Sequence, residues 1–195
     1  MVELFNGNQC ALVRPDGSYF GGTDKFFEAD YIQPVSNDLV LIGTDTGKTV
    51  SVSKKDYTKV YHIYDYKLVT STGKEISIGE QQEKEFYFNY YSDSVMVGDI
   101  AVLSSLRVIY NTKTDMLKKV SEDENVKLRT TGGNYYAVTE NDSTTVYDGT
   151  GQQVMTVPYT SIDTSVLDTE GYAVVSKDSE TVLSWRSKLE NIVSK

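Results

Sequence analysis

The chain has 195 residues, with 28 Asp+Glu against 19 Lys+Arg and a formal net charge of −9. That length suits one domain of ordinary size, or two small ones, and can bury a sizeable core. The acid excess argues against sequence-independent binding of nucleic acid or of an anionic membrane, because both need clustered Lys/Arg. Val, Ile, Thr and Tyr supply 67 residues, whereas Ala and Leu supply only 17. β-branched and aromatic side chains fit a pleated, half-buried surface and good helix formers are scarce, which argues against an all-helical bundle or a doubly wound α/β domain.

Along the chain, Met1–Gly7 lacks the basic region and long apolar stretch of a signal peptide. No apolar run approaches the ~20 residues of a membrane helix. A cytoplasmic origin or a virion is therefore expected, with a leader-trimmed extracellular domain as the alternative. Cys10 is the only cysteine, which excludes an internal disulfide and a cysteine zinc site. In Cys10-Ala11-Leu12-Val13 it is expected to be a small buried apolar residue and not a nucleophile.

Short strands and tight turns then follow one another. Cys10–Val13 and Ser18–Gly21 flank Arg14-Pro15-Asp16-Gly17. Leu39–Ile42 and Thr49–Ser53 flank Gly43–Lys48, and Lys67–Thr70 and Glu75–Ile78 flank Ser71–Lys74. Val108–Tyr110 and Met116–Val120 enclose Asn111–Asp115, and Thr145–Tyr147 and Gln153–Val157 enclose Asp148–Gly151. Gly and Asp suit these bends because they accept positive φ. The units align on Gly17, Gly47, Gly73, Asp115 and Gly151, and Ala101, Ala137 and Ala173 recur at steps of 36 residues. A period in this range marks repeat architectures.

The unit Tyr172–Val182 resembles the inner strands of β-propeller blades. The "strand, Asp/Thr-Gly-Lys, strand" units at Thr44–Val50 and Thr70–Ile76 are similar to bacterial tryptophan–glycine-type repeats. The likeness covers most of residues 8–195, while the single Trp185 departs from the aromatic signatures of both families. The resemblance implies an interaction scaffold and carries no catalytic residues over. Blades of about 40 residues would number four or five. The expected fold is one all-β domain over residues 1–195, made of antiparallel repeated hairpins in a small or irregular β-propeller, with a β-sandwich as the alternative. The best helix candidate, Arg186–Val193, reads equally as a closing strand, and the strand is favoured.

Local signatures of chemistry are weighed in turn. Gly43-Thr44-Asp45-Thr46-Gly47-Lys48-Thr49 has three residues between its glycines where a phosphate-binding loop needs four, and an alternating strand pattern follows it, so a hairpin turn is expected. His62 is the only histidine and sits between Tyr61 and Ile63 in a strand pattern. A triad with Asp56 or Asp65 lacks the Gly-x-Ser-x-Gly elbow, so His62 is read as structural. Carboxylates are plentiful, yet no pair stands out for glycoside hydrolysis. Asn141-Asp142-Ser143 and Asp148 are the nearest calcium candidates but lack an Asp-x-Asp-x-Asp-Gly loop. Asn141–Ser143 also matches a glycosylation acceptor, relevant only to a chain secreted by a eukaryote. No catalytic, metal or cofactor residue is assigned.

Phe86-Tyr87-Phe88-Asn89-Tyr90-Tyr91 is the most unusual segment. Alternation puts Phe86, Phe88 and Tyr90 on one strand face, with Tyr87 and Tyr91 on the other. Core packing is the first reading, a protein interface the second and sugar stacking the third. The same readings apply to Tyr61, Tyr64 and Tyr66. The candidate interface residues are Phe86, Tyr87, Phe88, Tyr90 and Tyr91. By elimination the chain is expected to be a non-enzymatic structural or interaction module, such as an assembly component of a phage virion, with protein partners that include copies of itself. An extracellular bacterial domain binding protein or glycan is the first alternative, and a glycosidase-like enzyme the second.

Overall fold

The computed structural model describes residues 2–7, 9–22, 26–53, 55–82, 94–177 and 180–185. The fold is all-β: the described strands form five sheets, each an antiparallel meander of consecutive strands. The chain falls into two compact units, Met1–Tyr90 and Tyr91–Lys195. The candidate interface Phe86–Tyr91 and the segment Arg186–Val193 lie outside the described residues.

In the first unit, β1 (Val2–Asn6), β2 (Gln9–Val13) and β3 (Phe27–Glu28) form one sheet. β4 (Tyr31–Pro34), β5 (Leu39–Ser53), β6 (Thr58–Thr70) and β7 (Glu75–Gln82) form the next, in that order. Pro34 can stand in β4 because that strand is an edge, where a missing N–H breaks no inner ladder. The two sheets share a core in which Cys10, Leu12, Phe20 and Phe27 meet Ile32, Val40, Ile42 and Val69. Cys10 has 0% of its surface exposed, as a small apolar core residue would. The strand expected at Ser18–Gly21 shrinks to a single bridge, Val13↔Tyr19. Gly21 and Gly22, at φ +79° and +115°, turn the chain out of the extended conformation there.

The second unit begins with β8 (Ser94–Val97), β9 (Ile100–Leu103), β10 (Val108–Asn111) and β11 (Met116–Lys119). β12 (Lys127–Gly132), β13 (Tyr135–Glu140), β14 (Ser143–Asp148) and β15 (Gln153–Val157) make its second sheet. The third holds β16 (Ser161–Asp163), β17 (Tyr172–Lys177) and β18 (Glu180–Trp185), with the four-residue helix α1 (Leu167–Glu170) between the first two. The middle sheet is covered on both faces. Tyr135, Ala137 and Val146 pack on Ile162, Ala173 and Val175, while Tyr136 packs on Ile100 and Val102. Side chains alternate along a strand, so one β13 sequence serves both layers.

Backbone contacts fasten these three sheets together. Gly98, in the β8–β9 turn, has φ +57°, and a Cβ there would lie 2.6 Å from the carbonyl oxygen of Gly149 in the β14–β15 turn. Only a residue with no side chain allows that approach, which lets the Asp99 N–H donate to Gly149 O at 2.8 Å. On the other side, the fully buried Thr164 donates its N–H to Thr131 O at 2.8 Å. Its hydroxyl donates to Gly132 O, also at 2.8 Å. The residues on which the turns align, Gly17, Gly47, Gly73, Asp115 and Gly151, all have left-handed φ, between +59° and +89°.

Gly98→Ala should therefore cost about 3 kcal/mol of unfolding free energy, combining backbone strain with a clash against backbone. Gly17→Ala, at similar φ but with nothing within 4 Å, should cost only about 1 kcal/mol. Chemical denaturation of both variants checks this, and equal losses would contradict the close-approach account.

Candidate functional site

The longest elements of the first unit are β5 and β6, of 15 and 13 residues. The hairpin turn expected at Gly43–Lys48 is not there, because β5 runs straight through it. Pairing proceeds from Leu39↔Thr70 to Asp45↔Tyr64 and resumes from Thr49↔His62 to Ser53↔Thr58. Thr46, Gly47 and Lys48 thus stand opposite Ile63 alone and are absorbed as a bulge.

Side chains supply the hydrogen bonds that the bulge takes from the ladder. Asp45 Oδ1 accepts the Gly47 N–H at 2.8 Å, and Gly47 adopts φ +72°. The Asp45 N–H donates to Asp30 Oδ2 at 2.7 Å. Thr46 Oγ1 donates to Ile63 O at 2.7 Å. Asp45 Oδ2 lies 2.8 Å from His62 Nδ1, and Lys48 Nζ reaches Glu80 at 2.6 Å. His62 is exposed and its carboxylate partner is Asp45, not the Asp56 or Asp65 considered from sequence. The Gly47 N–H holds the Asp45 carboxyl below its ordinary value, with His62 acting in the same direction against a smaller desolvation effect.

Below the bulge the ribbon is anchored. Tyr66 lies across Gly43, where a Cβ would come within 2.8 Å of the ring. Tyr66 is 1% exposed and meets Tyr31 edge-on at 6.4 Å, so this tyrosine belongs to the core. Glycine in this strand makes room for the ring, a close approach that any side chain would block. Tyr61 and Tyr64 are half-buried.

Above the bulge β5 and β6 continue as a pair. β7 follows β6 only as far as Ile63↔Gln82, so among the described residues Thr49–Ser53 and Thr58–His62 pair with each other alone. Residues directly opposite in an antiparallel pair share a face. One face therefore carries Val50, Val52, Lys59 and Tyr61, with Lys59 Nζ 4.9 Å from the Tyr61 ring centroid. The other carries Ser51, Val60, Thr49 and His62. Val50, Tyr57 and Val60 are 42%, 62% and 53% exposed, three of the six exposed large hydrophobics among the described residues. Scattered exposed apolar residues are ordinary, and of these three Val50 and Val60 stand on opposite faces, with Tyr57 in the connection.

The remaining sequence candidates serve turns. Asp148 Oδ1 accepts the Thr150 N–H, the Thr150 hydroxyl and the Gln152 N–H. Asn141 and Asp142, at φ +48° and +60°, form the β13–β14 bend. Among the described residues no three His, Cys, Asp or Glu side chains come together as a metal-binding group, and no helix is long and apolar enough to cross a membrane. A depression of about 460 Å³ lies between Arg14, Pro15, Asp16 and Asn37. Its charges are engaged, Arg14 over the Phe20 ring and Asp16 with the Ser18 N–H and hydroxyl. Compared with known proteins, the chain matches no family model, no curated protein and no solved structure.

The bulge has a pH signature. A carboxyl whose folded pKa lies below 3.8 contributes stability above that pH and loses it as pH falls through the folded value. The amide resonance of Gly47 should therefore titrate with a midpoint under 3.8, followed by NMR from about pH 5 to about pH 2. A Gly47 amide that does not move with the Asp45 carboxyl would contradict the bulge geometry.

Proposed function

We propose that the chain is a non-enzymatic structural and interaction module, an assembly component of a larger particle such as a phage virion. The observation that carries this reading is the part of the long β5–β6 hairpin above the bulge, which exposes Val50, Tyr57 and Val60. An isolated ribbon buries little apolar surface and is only marginally stable by itself. The elaborate bracing at Asp45, Thr46 and Lys48 thus maintains a shape that the first core does not require. Such a shape suits contact with another protein, where aromatic and β-branched anchors supply most of the binding energy.

In the same reading the meandering sheets are repeats, arranged as blades of a small and irregular β-propeller. The face-to-face packing of the three sheets in the second unit and the common left-handed φ of the aligned turn residues support it. The aromatic run Phe86, Tyr87, Phe88, Tyr90 and Tyr91, next after β7 in sequence, is a second contact segment on sequence grounds. No cofactor is invoked. Native mass spectrometry across a concentration series tests the reading. Discrete oligomers growing in from the 21.8 kDa monomer are expected, and a strict monomer at every concentration would overturn self-assembly.

A further inference from the structure

Strand β12 stands at the edge of the middle sheet of the second unit and presents two different faces. Side chains alternate along it, so Leu128 joins the cluster of Ile100, Val102 and Tyr136, while Lys127, Arg129 and Thr131 share the other side. Arg129 lies opposite Ala137, which packs on Ile162, Ala173 and Val175 of the third sheet. Burial rises along this side, from exposed Lys127 through half-buried Arg129 to Thr131 at 7% exposure. A guanidinium therefore sits at the boundary between solvent and the seam of two sheets.

Its donors are mostly unused. Nη2 donates to Thr160 O at 2.7 Å, and Nε is buried with no hydrogen-bond partner among the described residues. Lys48, Lys67 and Lys119 each hold a glutamate, yet among the described residues no carboxylate lies within ion-pair distance of Arg129 or Lys127. Asp163, on the adjoining β16, gives its Oδ1 to the Ser165 N–H instead. Burial lowers the Arg129 pKa, but a guanidinium stays charged all the same. A half-buried cation with a buried free N–H carries a desolvation cost that a bound anion would offset.

We infer that Arg129 and Lys127 form an anion-binding site for a phosphate group, either the free ion or a small phosphate ester. Same-face neighbours on a strand stand about 7 Å apart, within reach of two long side chains converging on one group. Two positive charges match a dianion better than a single carboxylate. The planar guanidinium supplies directed donors to the phosphate oxygens, and the ammonium adds a compact charge. The net charge of −9 repels a large polyanion at long range, so the ligand is small and the contact short-ranged. The site is separate from the assembly reading, and either can fail without the other.

Titration of the full chain with inorganic phosphate, followed by NMR at fixed pH and ionic strength, tests this. The Arg129 Nε–H resonance and the amides of Leu128–Thr130 and of Thr160 and Ser161 should shift along saturating curves. Arg129→Gln should raise the apparent dissociation constant at least about tenfold, as loss of a charge-assisted hydrogen bond implies. Lys127→Gln, at an exposed position, should raise it about threefold. If R129Q does not fold, as far-UV circular dichroism would show, K127Q alone decides. Methyl phosphate titrated in parallel separates the two sources: saturation by either supports the site, and the tighter ligand names the class. Shifts that grow linearly without saturating, or that persist unchanged in the folded variants, overturn the site. Acetate that saturates the same resonances as tightly as phosphate overturns the phosphate assignment.

Discussion

The bulge at Thr46-Gly47-Lys48 is the constraint on which the shape of the first unit depends. Two extra residues in one strand must either end the pairing or be absorbed within it. They are absorbed because side chains meet backbone groups there: Asp45 accepts from the Gly47 N–H, Asp30 from the Asp45 N–H, and the Thr46 hydroxyl donates to Ile63 O. Unpaired backbone polar groups are costly wherever water is excluded, so this local exchange decides between two short hairpins and one long one. With the long hairpin come exposed Val50, Tyr57 and Val60.

The second unit solves a related problem differently. Its three sheets present apolar faces to one another, and packing alone leaves such layers free to slide. Fixed backbone contacts at Gly98–Gly149 and at Thr131–Thr164 remove that freedom. Thr131 and Thr164 also bond through their hydroxyls at 2.8 Å inside the core, where an unmet hydroxyl would be costly. Tyr136 stacks on Tyr147 at 5.2 Å in the same region, and burial, with Tyr147 and Asp148 nearby, pushes its phenol up to about 12, so it stays a neutral core residue.

Much of the strand layout was legible in the sequence because it is local. Gln153–Val157, the run that follows the turn Asp148–Gly151, forms β15 with those limits, and Val108–Tyr110 forms β10 with one residue more. The run Gly43–Lys48 has the composition of those turns yet lies inside a strand. Its fate is set by Asp30, 15 residues away, and by Ile63, 17 residues from Thr46, and no local pattern encodes such partners. The alternation of Val50 with Val52 was visible, but not that among the described residues only β6 pairs with that part of β5. The alanine step of 36 residues places Ala101, Ala137 and Ala173 in the second strand of three successive sheets. Ala137 and Ala173 share one cluster, whereas Ala101 alternates with Ile100 and Val102, the residues that face the middle sheet. The step preserves strand order but not strand face, since an offset of one residue reverses the side a residue occupies.

The proposed contact surface is the part of β5 and β6 above the bulge. Amide hydrogen exchange, read residue by residue at low and at high protein concentration, addresses it most directly. The account predicts that exchange at Thr49–Ser53 and Thr58–His62 slows as concentration rises, while the root of the same strands, Leu39–Ile42 and Lys67–Thr70, stays equally protected. Oligomers that form with ribbon exchange unchanged would contradict it.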